Sequence, residues 1–322
     1  MTMWRGLEAV ARDVGATPRR RSVVTVGVFD GVHRGHQVIV AEVVRRARVL
    51  DVPAVAITFD PHPLLVLRPE IAPLMLTGID RRAELLQQVG IDHVVVLGFD
   101  VALSMLTPEE FVSQVVVAGL NASEVIVGAD FRFGHKAAGD VALLTEMGER
   151  LGFAVEGVGL VGDGRERWSS TAVRTRLADG DVRGAASILG RPHRLDGVVV
   201  EGDKRGRELG FPTANVSAPS GMAVPADGVY AGRLSVLADD GATGATYDAA
   251  ISVGANSTFD GTESRVEAHC LDPAFDLNLY GVRVGVEFVE RLRGMTKFDG
   301  AESLVAQVRA DADQARAVLA AT

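Results

Sequence analysis

GVFDGVHRGHQ, residues 27–37, follows an apolar, β-branched run, RSVVTVGVF, and leads into a run of helical character, HQVIVAEVVRRARVL. Gly27, Gly31 and Gly35 allow tight turns and close approach of the backbone to a ligand. The start of the following helix offers unpaired N–H groups and the positive end of its dipole, which together favour a phosphate. The segment therefore predicts a strand–turn–helix unit that binds a nucleotide.

Two histidines give this turn its chemical character. His33 and His36 are three residues apart, so one helical turn places both on the same side. Their ring N–H groups can donate hydrogen bonds to phosphate oxygens. The alternative is a glycine turn with two solvated histidines. The position after a buried strand, with Phe29 and Asp30 in front, favours the nucleotide site.

The first half of the chain alternates between strand-like and helix-like runs. Four further apolar runs predict strands: VPAVAITF, DHVVVLGF, SEVIVGAD and FAVEGVGLV. One of the helical runs between them opens on a strong start signal, with Thr107 as N-cap before Pro108. Continuous apolar strands that alternate with helices indicate an α/β domain of Rossmann-like type, whose parallel sheet is covered on both faces. Ligands of such sheets bind beyond the carboxyl ends of the strands.

The pattern changes after Gly190. Short strand candidates follow, separated by Gly, Asp, Asn and Pro, with no helix between them. This pattern predicts a small antiparallel β-barrel. The last run, AESLVAQVRADADQARAVLA, has apolar residues at helical spacing and predicts a C-terminal helix that packs on the barrel. We therefore expect two domains, residues 1–186 and 187–322.

Composition and charge restrict the class of partner. The formal net charge of −9 disfavours general binding of nucleic acid. The single cysteine, Cys270, excludes an intramolecular disulfide, and its strand-like run predicts a buried thiol. No run is apolar for long enough to span a bilayer, and the N-terminus lacks the apolar core of a signal peptide. We expect a cytoplasmic protein with no nucleic-acid or membrane partner, and the sequence leaves its oligomeric state open.

The second half contains a basic, glycine-rich loop that runs from Gly202 to Asn215. Thr213 and Asn215 are two residues apart in an extended segment, so strand alternation places both on one side. Their neutral oxygen atoms suit Mg²⁺ that is shared with ATP phosphates. Composition alone favours a surface loop before a strand, and the chain lacks the G-x-x-x-x-G-K-[ST] P-loop.

Three more segments lie at predicted strand ends: residues 58–63 (TFDPHP), 128–134 (GADFRFG) and 169–174 (SSTAVR). Taken singly, Asp60 before Pro61 is typical of a turn. Ser169 to Thr171 are typical of helix caps, and Arg174 is typical of a solvated helix charge. Together with the histidine turn, they resemble the nucleotidyltransferase superfamily. The closest resemblance is to the FMN adenylyltransferase module of prokaryotic bifunctional riboflavin kinase/FAD synthetases. It implies transfer of an adenylyl group from ATP to FMN, with FAD and pyrophosphate as products.

This resemblance also implies roles for individual residues. His33 and His36 would be the catalytic pair that stabilises the α-phosphate region. The ATP site would consist of Gly27, Phe29, Asp30, Gly31, His33, His36, Ser170, Thr171 and Arg174. The flavin side would be formed by Asp60, Pro61, His62, Asp130 and Phe131.

The run GFPTAN, residues 210–215, closely resembles the signature of riboflavin kinases, and further family segments follow it in order. The resemblance implies that Glu267 is the catalytic base near the riboflavin hydroxyl and that Glu267 and Arg293 bind flavin. It implies Thr213 and Asn215 as Mg²⁺ ligands. The ATP-binding residues would be Gly202, Lys204, Gly206, Gly210, Phe211, Pro212, Thr213 and Asn215.

The chain departs from the family pattern at two positions. Ser257 stands where the family often has Pro, which puts the rigidity of that turn in doubt. Gly294 stands where an acidic residue is frequent, and we assign it no role.

The resemblance covers nearly the whole chain and implies a bifunctional enzyme. Its small-molecule partners would be riboflavin, ATP, FMN and FAD, with Mg²⁺ as cofactor. A single-activity adenylyltransferase acting on pantetheine phosphate or nicotinate mononucleotide would explain the histidine turn but not the second half. A third interpretation is a flavin-binding or regulatory protein with degenerate sites, which the intact candidate catalytic residues of both halves disfavour.

Overall fold

The computed structural model describes residues 2–14, 21–159, 161–162, 164, 167–202, 211–238, 243–258, 261–272 and 279–322. Backbone contacts divide the chain into two units. The first unit comprises Met1–Pro73 and Ile79–Trp168, and the second comprises Leu74–Gly78 and Ser169–Thr322. Within the described ranges, no helix is long and apolar enough to cross a membrane.

The first unit is built on a parallel sheet, which confirms the predicted α/β class. Its six strands are β1 (Thr2–Arg5), β2 (Ser22–Val26), β3 (Ala54–Asp60), β4 (His93–Gly98), β5 (Ala122–Gly128) and β6 (Ala154–Val158). Their order across the sheet is β1-β4-β3-β2-β5-β6, and each pairing is parallel. The sequence predicts five of these strands. It misses β1, because four residues are too few for periodicity to distinguish a strand.

Alternate residues of a central strand enter two different cores. In β4, Val95 and Leu97 belong to one hydrophobic cluster, whereas Val94 and Val96 belong to another. A strand that is covered on both faces has apolar residues at every position, which explains the uninterrupted run in DHVVVLGF.

Helices cover both faces of this sheet. They are α1 (Leu7–Val14), α2 (Arg34–Leu50), α3 (Pro63–Leu67), α4 (Ile79–Val89), α5 (Val101–Ser104), α6 (Pro108–Phe111) and α7 (Val141–Leu151). A π-helical segment, Val112–Gly119, continues α6, and short 3₁₀ turns occupy Pro69–Ile71 and His135–Ala137. Thr107 caps α6 in a capping box with Glu110, which confirms the predicted start signal.

Among its described residues, the second unit contains two helices, a closed antiparallel barrel and a C-terminal helix, which confirms the predicted class. The helices α8 (Ser170–Ala178) and α9 (Val182–Leu189) precede the barrel, and α10 (Ala301–Ala320) follows it. The barrel strands are β7 (His193–Val200), β8 (Ala214–Ser217), β9 (Gly228–Leu237), β10 (Thr243–Thr258), β11 (Gly261–Cys270) and β12 (Arg283–Arg293). Their order around the barrel is β10-β11-β8-β7-β12-β9.

The last helix packs on the barrel as its spacing predicts. Ala312, Ala315 and Leu319 are buried in one cluster with barrel residues that include Ala231 and Ala250. Removing these apolar surfaces from water stabilises the helix, which has no other partner of comparable extent among the described residues.

Strand β11 shows the alternation that the sequence predicts. Val266, Ala268 and Cys270 are buried, whereas Glu267 and His269 are partly exposed. Burial, with a smaller contribution from Asp272, raises the pKa of the Cys270 thiol to about 12. Cys270 is therefore a neutral packing residue at physiological pH, and Glu267 lies on the face that is free for chemistry.

Candidate functional site

The histidine turn occupies the position in the sheet where an α/β fold binds ligands. It follows β2, which has β3 on one side and β5 on the other. The chain order reverses at this strand, and folds of this type bind their ligands outside the carboxyl end of such a strand. The turn between β2 and α2 lines this switch point.

The two histidines form a stacked pair at the start of α2. Their ring centroids are 3.6 Å apart with an interplanar angle of 22°. His33 is the N-cap, and its Nδ1 accepts a hydrogen bond of 3.3 Å from the backbone N–H of His36. Neutral His33 therefore carries its proton on Nε2, which is a hydrogen-bond donor. The predicted placement of both rings on one side is confirmed.

Electrostatics keep His36 uncharged. Burial lowers its pKa well below the usual 6.5, and electrostatic interactions with His33 and Arg82 lower it further. The ring retains some accessible surface, but its Nδ1 is buried without a hydrogen-bond partner among the described residues. An imidazole in this state is a neutral donor and acceptor rather than a cation.

The backbone of the turn is held in an unusual conformation. Phe29 and Val32 have φ values of 51° and 40°, and Gly31 has φ of 79°. A β-branched residue rarely has positive φ, so the observed conformation is strained, as is frequent at ligand sites. Gly35 is required for a different reason: a Cβ there would lie 3.0 Å from the ring of His33 and 3.2 Å from the carbonyl oxygen of Trp168.

Sequence reasoning missed Arg82, a buried arginine behind this turn. Its Nη1 donates to Thr58 Oγ1 at 3.3 Å and to the carbonyl oxygen of Phe59 at 3.1 Å. Its Nη2 lies 4.0 Å from the carboxylate of the equally buried Asp30. The signal was present in the sequence, because Arg82 occupies the apolar face of α4 together with Leu85, which follows three residues later.

The flavin-side candidates follow the carboxyl ends of β3 and β5, the two neighbours of β2. Asp60 ends β3, and His62 caps α3 by accepting from the N–H of Leu64 at 3.1 Å. Asp130 follows β5 and pairs with Arg167 at 2.5 Å, where both side chains are about half exposed. The fold thus brings these chain-distant segments to one edge of the sheet. Pro61 lies beside Asp60, and Phe131 stacks on Phe133 with centroids 5.4 Å apart.

The remaining ATP candidates begin α8. Ser169 is its N-cap, and its side chain accepts from the N–H of Ala172 at 3.1 Å. Ser170 and Thr171 therefore lie in the first turn, and Arg174 donates to the carbonyl oxygen of Leu74 at 2.6 Å. These residues belong to the second unit.

The second unit contains a cavity of about 260 Å³ that barrel strands and α10 line together. Its polar lining consists of Thr213, Ser252, Glu267, His269, Arg293, Thr296 and Asp311. Its apolar lining includes Phe211, Val229, Met295, Phe298, Leu304 and Val308. A mostly apolar cavity with a few convergent polar groups is typical of a site for a planar organic ligand.

The two predicted kinase segments meet at this cavity. Asn215 of β8 lies directly opposite Glu267 of β11 in the strand register. His269 Nδ1 forms a hydrogen bond of 2.9 Å with the carbonyl oxygen of Pro212, next to Thr213. Glu267 is 29% exposed and lies 3.4 Å from Arg265. The carboxylate is thus accessible and held beside the Thr–Asn segment.

Some of the other residues predicted for the kinase site lie within the described part of the chain, and some lie outside it. Phe211 contacts the ring of His269 edge-on at 5.5 Å. A Cβ on Gly202 would lie 2.3 Å from Asn215 Nδ2, so glycine allows this close approach. Lys204, Gly206 and Gly210 lie outside the described residues, as does the side chain of Ser257.

Comparisons with known proteins find relatives for both halves of the chain. A family model for FAD synthetase matches residues 16–172, and one for riboflavin kinase matches residues 189–319. A bifunctional riboflavin kinase/FMN adenylyltransferase of Escherichia coli K12 is 34% identical over 98% of this chain and 97% of its own. One from Pseudomonas fluorescens is 39% identical over 94% of each.

One solved structure is similar to nearly the whole chain. A crystal structure from Streptococcus pneumoniae, described as a macrolide-efflux protein, is 32% identical with a TM-score of 0.84. It covers 98% of this chain and 99% of its own. By these matches, the chain belongs to the bifunctional riboflavin kinase/FMN adenylyltransferase family.

Proposed function

We propose that this chain phosphorylates riboflavin to FMN with residues of its barrel and adenylylates FMN to FAD with its nucleotidyltransferase module. The observation that carries the proposal is the presence of both sites in one chain. One is the stacked histidine pair at the switch point of the sheet, and the other is Glu267 opposite Asn215 at an apolar cavity.

Adenylyl transfer requires charge stabilisation rather than a strong base. The FMN phosphate is already ionised and attacks the α-phosphorus of ATP in line, while pyrophosphate leaves. His33 and His36 stabilise the charge on the α-phosphate oxygens as neutral N–H donors held in advance of the reaction. Because the two neutral rings do not change their protonation state in this step, they contribute by holding their N–H groups in the right position.

The other residues of this module bind the two ends of the reactants. Gly27, Phe29, Asp30 and Gly31 form the turn that lies against the nucleotide. Ser170, Thr171 and Arg174 hold the departing phosphates, where a helix start and a guanidinium are suited to an anion. Asp60, Pro61, His62, Asp130 and Phe131 form the flavin side.

Riboflavin phosphorylation starts from a neutral alcohol, so a base assists. Glu267 accepts the proton of the hydroxyl as the oxygen attacks the γ-phosphorus of ATP, and ADP leaves as the bond to its β-phosphate oxygen breaks. ATP lies against the glycine-rich segment that includes Gly202, Lys204, Gly206, Gly210, Phe211, Pro212, Thr213 and Asn215. Arg293 lines the flavin cavity.

Magnesium fits the Thr–Asn segment by the chemistry of its donors. The hydroxyl of Thr213 and the amide oxygen of Asn215 are hard oxygen ligands, and ATP phosphates and water supply the remainder. The described residues include no cluster of three or more His, Cys, Asp or Glu that could hold a metal without substrate. Bound Mg²⁺ would neutralise phosphate charge in the kinase reaction.

Thr213→Val tests this role. Removing the hydroxyl should raise the Mg²⁺ concentration for half-maximal FMN formation by about tenfold or more. Thr213→Ser keeps the oxygen and should behave like wild type. Asn215→Asp, which keeps an oxygen ligand, should be much less damaging than Thr213→Val. An unchanged magnesium titration in an active Thr213→Val protein would remove Thr213 from the ligand set.

The two activities should also separate physically. We expect the fragment 187–322 to fold and to form FMN from riboflavin, because the barrel and α10 have their own core. The fragment 169–322, which retains α8 and α9, is the matched control. If both are folded but only the longer fragment is active, the functional boundary lies at residue 168/169 instead.

A measurement of flavin turnover distinguishes the proposed function from the two alternative functions. Incubation with riboflavin and MgATP, followed by chromatography, should yield FMN and then FAD. Flavin that is bound but unchanged would instead support a binding or regulatory protein. Adenylylation of another phosphate, without flavin turnover, would support a single-activity adenylyltransferase. We further propose a cytoplasmic location, because both reactions consume ATP.

A further inference from the structure

A partly buried ion pair joins the C-terminal helix to the wall of the kinase cavity. Arg293 ends β12 and lines the cavity, as does Asp311 of α10. Arg293 Nε donates to Asp311 Oδ1 at 2.8 Å, and Nη2 donates to Oδ2 at 2.7 Å. The pair is bidentate, the geometry in which a carboxylate fixes the plane of a guanidinium as well as its position.

The carboxylate of Asp311 is almost completely removed from water. Its side chain is 6% exposed, compared with 22% for Arg293. Gln307 Nε2 donates a further hydrogen bond of 2.9 Å to Oδ1. Buried ion pairs contribute little net stability, because the cost of removing charges from water offsets their attraction. The interaction is therefore better explained by the orientation that it imposes than by stability.

Arg293 has little rotational freedom left in this arrangement. Its Nη1 donates to the carbonyl oxygen of Gly294 at 3.0 Å, so each of the three guanidinium nitrogens has a hydrogen-bond partner. The guanidinium carbon lies 5.8 Å from the centroid of Phe298, a second residue of the cavity wall. These three hydrogen bonds fix the guanidinium, and its flat face suits stacking on an aromatic ring.

We propose that Asp311 is a positioning residue for flavin: it holds Arg293 so that the guanidinium face, beside Phe298, forms the wall against which the isoalloxazine ring stacks. This inference rests on the proposed kinase function of the cavity. It assigns Asp311 no contact with the reacting atoms, so its loss should affect flavin affinity more than turnover.

Asp311→Asn tests the inference with little change in volume. The dissociation constant of riboflavin, measured by quenching of flavin fluorescence without ATP, should rise about tenfold, the scale of one lost charge-assisted hydrogen bond. The KM for riboflavin should rise in parallel, whereas kcat should change less than about twofold. Asp313→Asn, on the same helix but 77% exposed, is the matched control and should leave both unchanged.

A double-mutant cycle separates positioning from general stability. If Asp311 acts through Arg293, Asp311→Asn should have no further effect on flavin binding in an Arg293→Gln protein. Additive effects, or unchanged binding in folded Asp311→Asn, would overturn the proposal. If Asp311→Asn does not fold, Gln307→Leu replaces it in the double-mutant cycle. This change removes only the 2.9 Å hydrogen bond that Gln307 donates to Asp311 Oδ1. Wild-type protein that binds riboflavin without forming FMN would reject the kinase function but leave this test valid.

Discussion

Glu267→Gln should lower the rate of FMN formation by roughly 10²–10⁴-fold, the range expected when a general base is lost. Gln keeps the size of the side chain and its position opposite Asn215 but cannot accept a proton. The kinase acceptor is a neutral alcohol and needs a base, whereas the adenylyl acceptor is an ionised phosphate and needs none. FAD formation from supplied FMN should therefore stay near the wild-type rate. The two rates are measured separately, with riboflavin and then FMN as substrate.

Glu287→Gln is the matched control for this change. Glu287 is also a half-buried barrel carboxylate, but it lies on β12 and does not line the cavity. Both reactions should proceed normally in Glu287→Gln. If Glu267→Gln phosphorylates riboflavin at nearly the normal rate, Glu267 is not the base and is only a barrel surface charge.

The sequence predicts the architecture because both halves have regular burial patterns. A parallel sheet covered on both faces produces continuous apolar runs, and β4 is an example. The half-covered strand β11 alternates, so Glu267 could be assigned to the accessible face before the structure was known. A strand of four residues is too short for its burial pattern to identify it in the sequence. Both β1 and β8 have this length, and the sequence does not predict β1.

Side-chain partners are the part that the sequence cannot supply. Arg82 and Asp30 are distant in the chain, and the sequence does not show that the fold buries them 4.0 Å apart. The same holds for Arg293 and Asp311, since a lone acid in a charged helix is typical of a solvated face. Such pairs depend on the packing of α4 against the sheet and of α10 against the barrel. Family resemblance identifies conserved motifs but not these supports.

His36 should titrate outside the physiological range. Burial lowers its pKa below 6.5, so folded His36 stays neutral where an unfolded histidine begins to bind a proton. The neutral state is therefore maintained at all pH values above 6.5. Above pH 6.5 the ionisation of His36 does not lower the free energy of unfolding. As the pH falls through 6.5, this free energy decreases, because the unfolded state binds the proton more readily than the folded state does. His36→Gln should remove that part of the pH dependence in denaturant unfolding.

His36→Ala should lower FAD formation from supplied FMN by about 10²–10³-fold, the cost of one donor that stabilises charge in a transition state. Riboflavin phosphorylation should survive, because the kinase reaction uses Glu267 instead. His36→Gln retains an N–H donor and should recover part of the lost rate. The matched control is His93→Gln: His93 also has a pKa lowered by burial but begins β4, at the amino edge of the sheet, away from the turn. Equal loss of both activities in folded His36→Ala would mean that His36 does not act in the adenylyltransferase site alone.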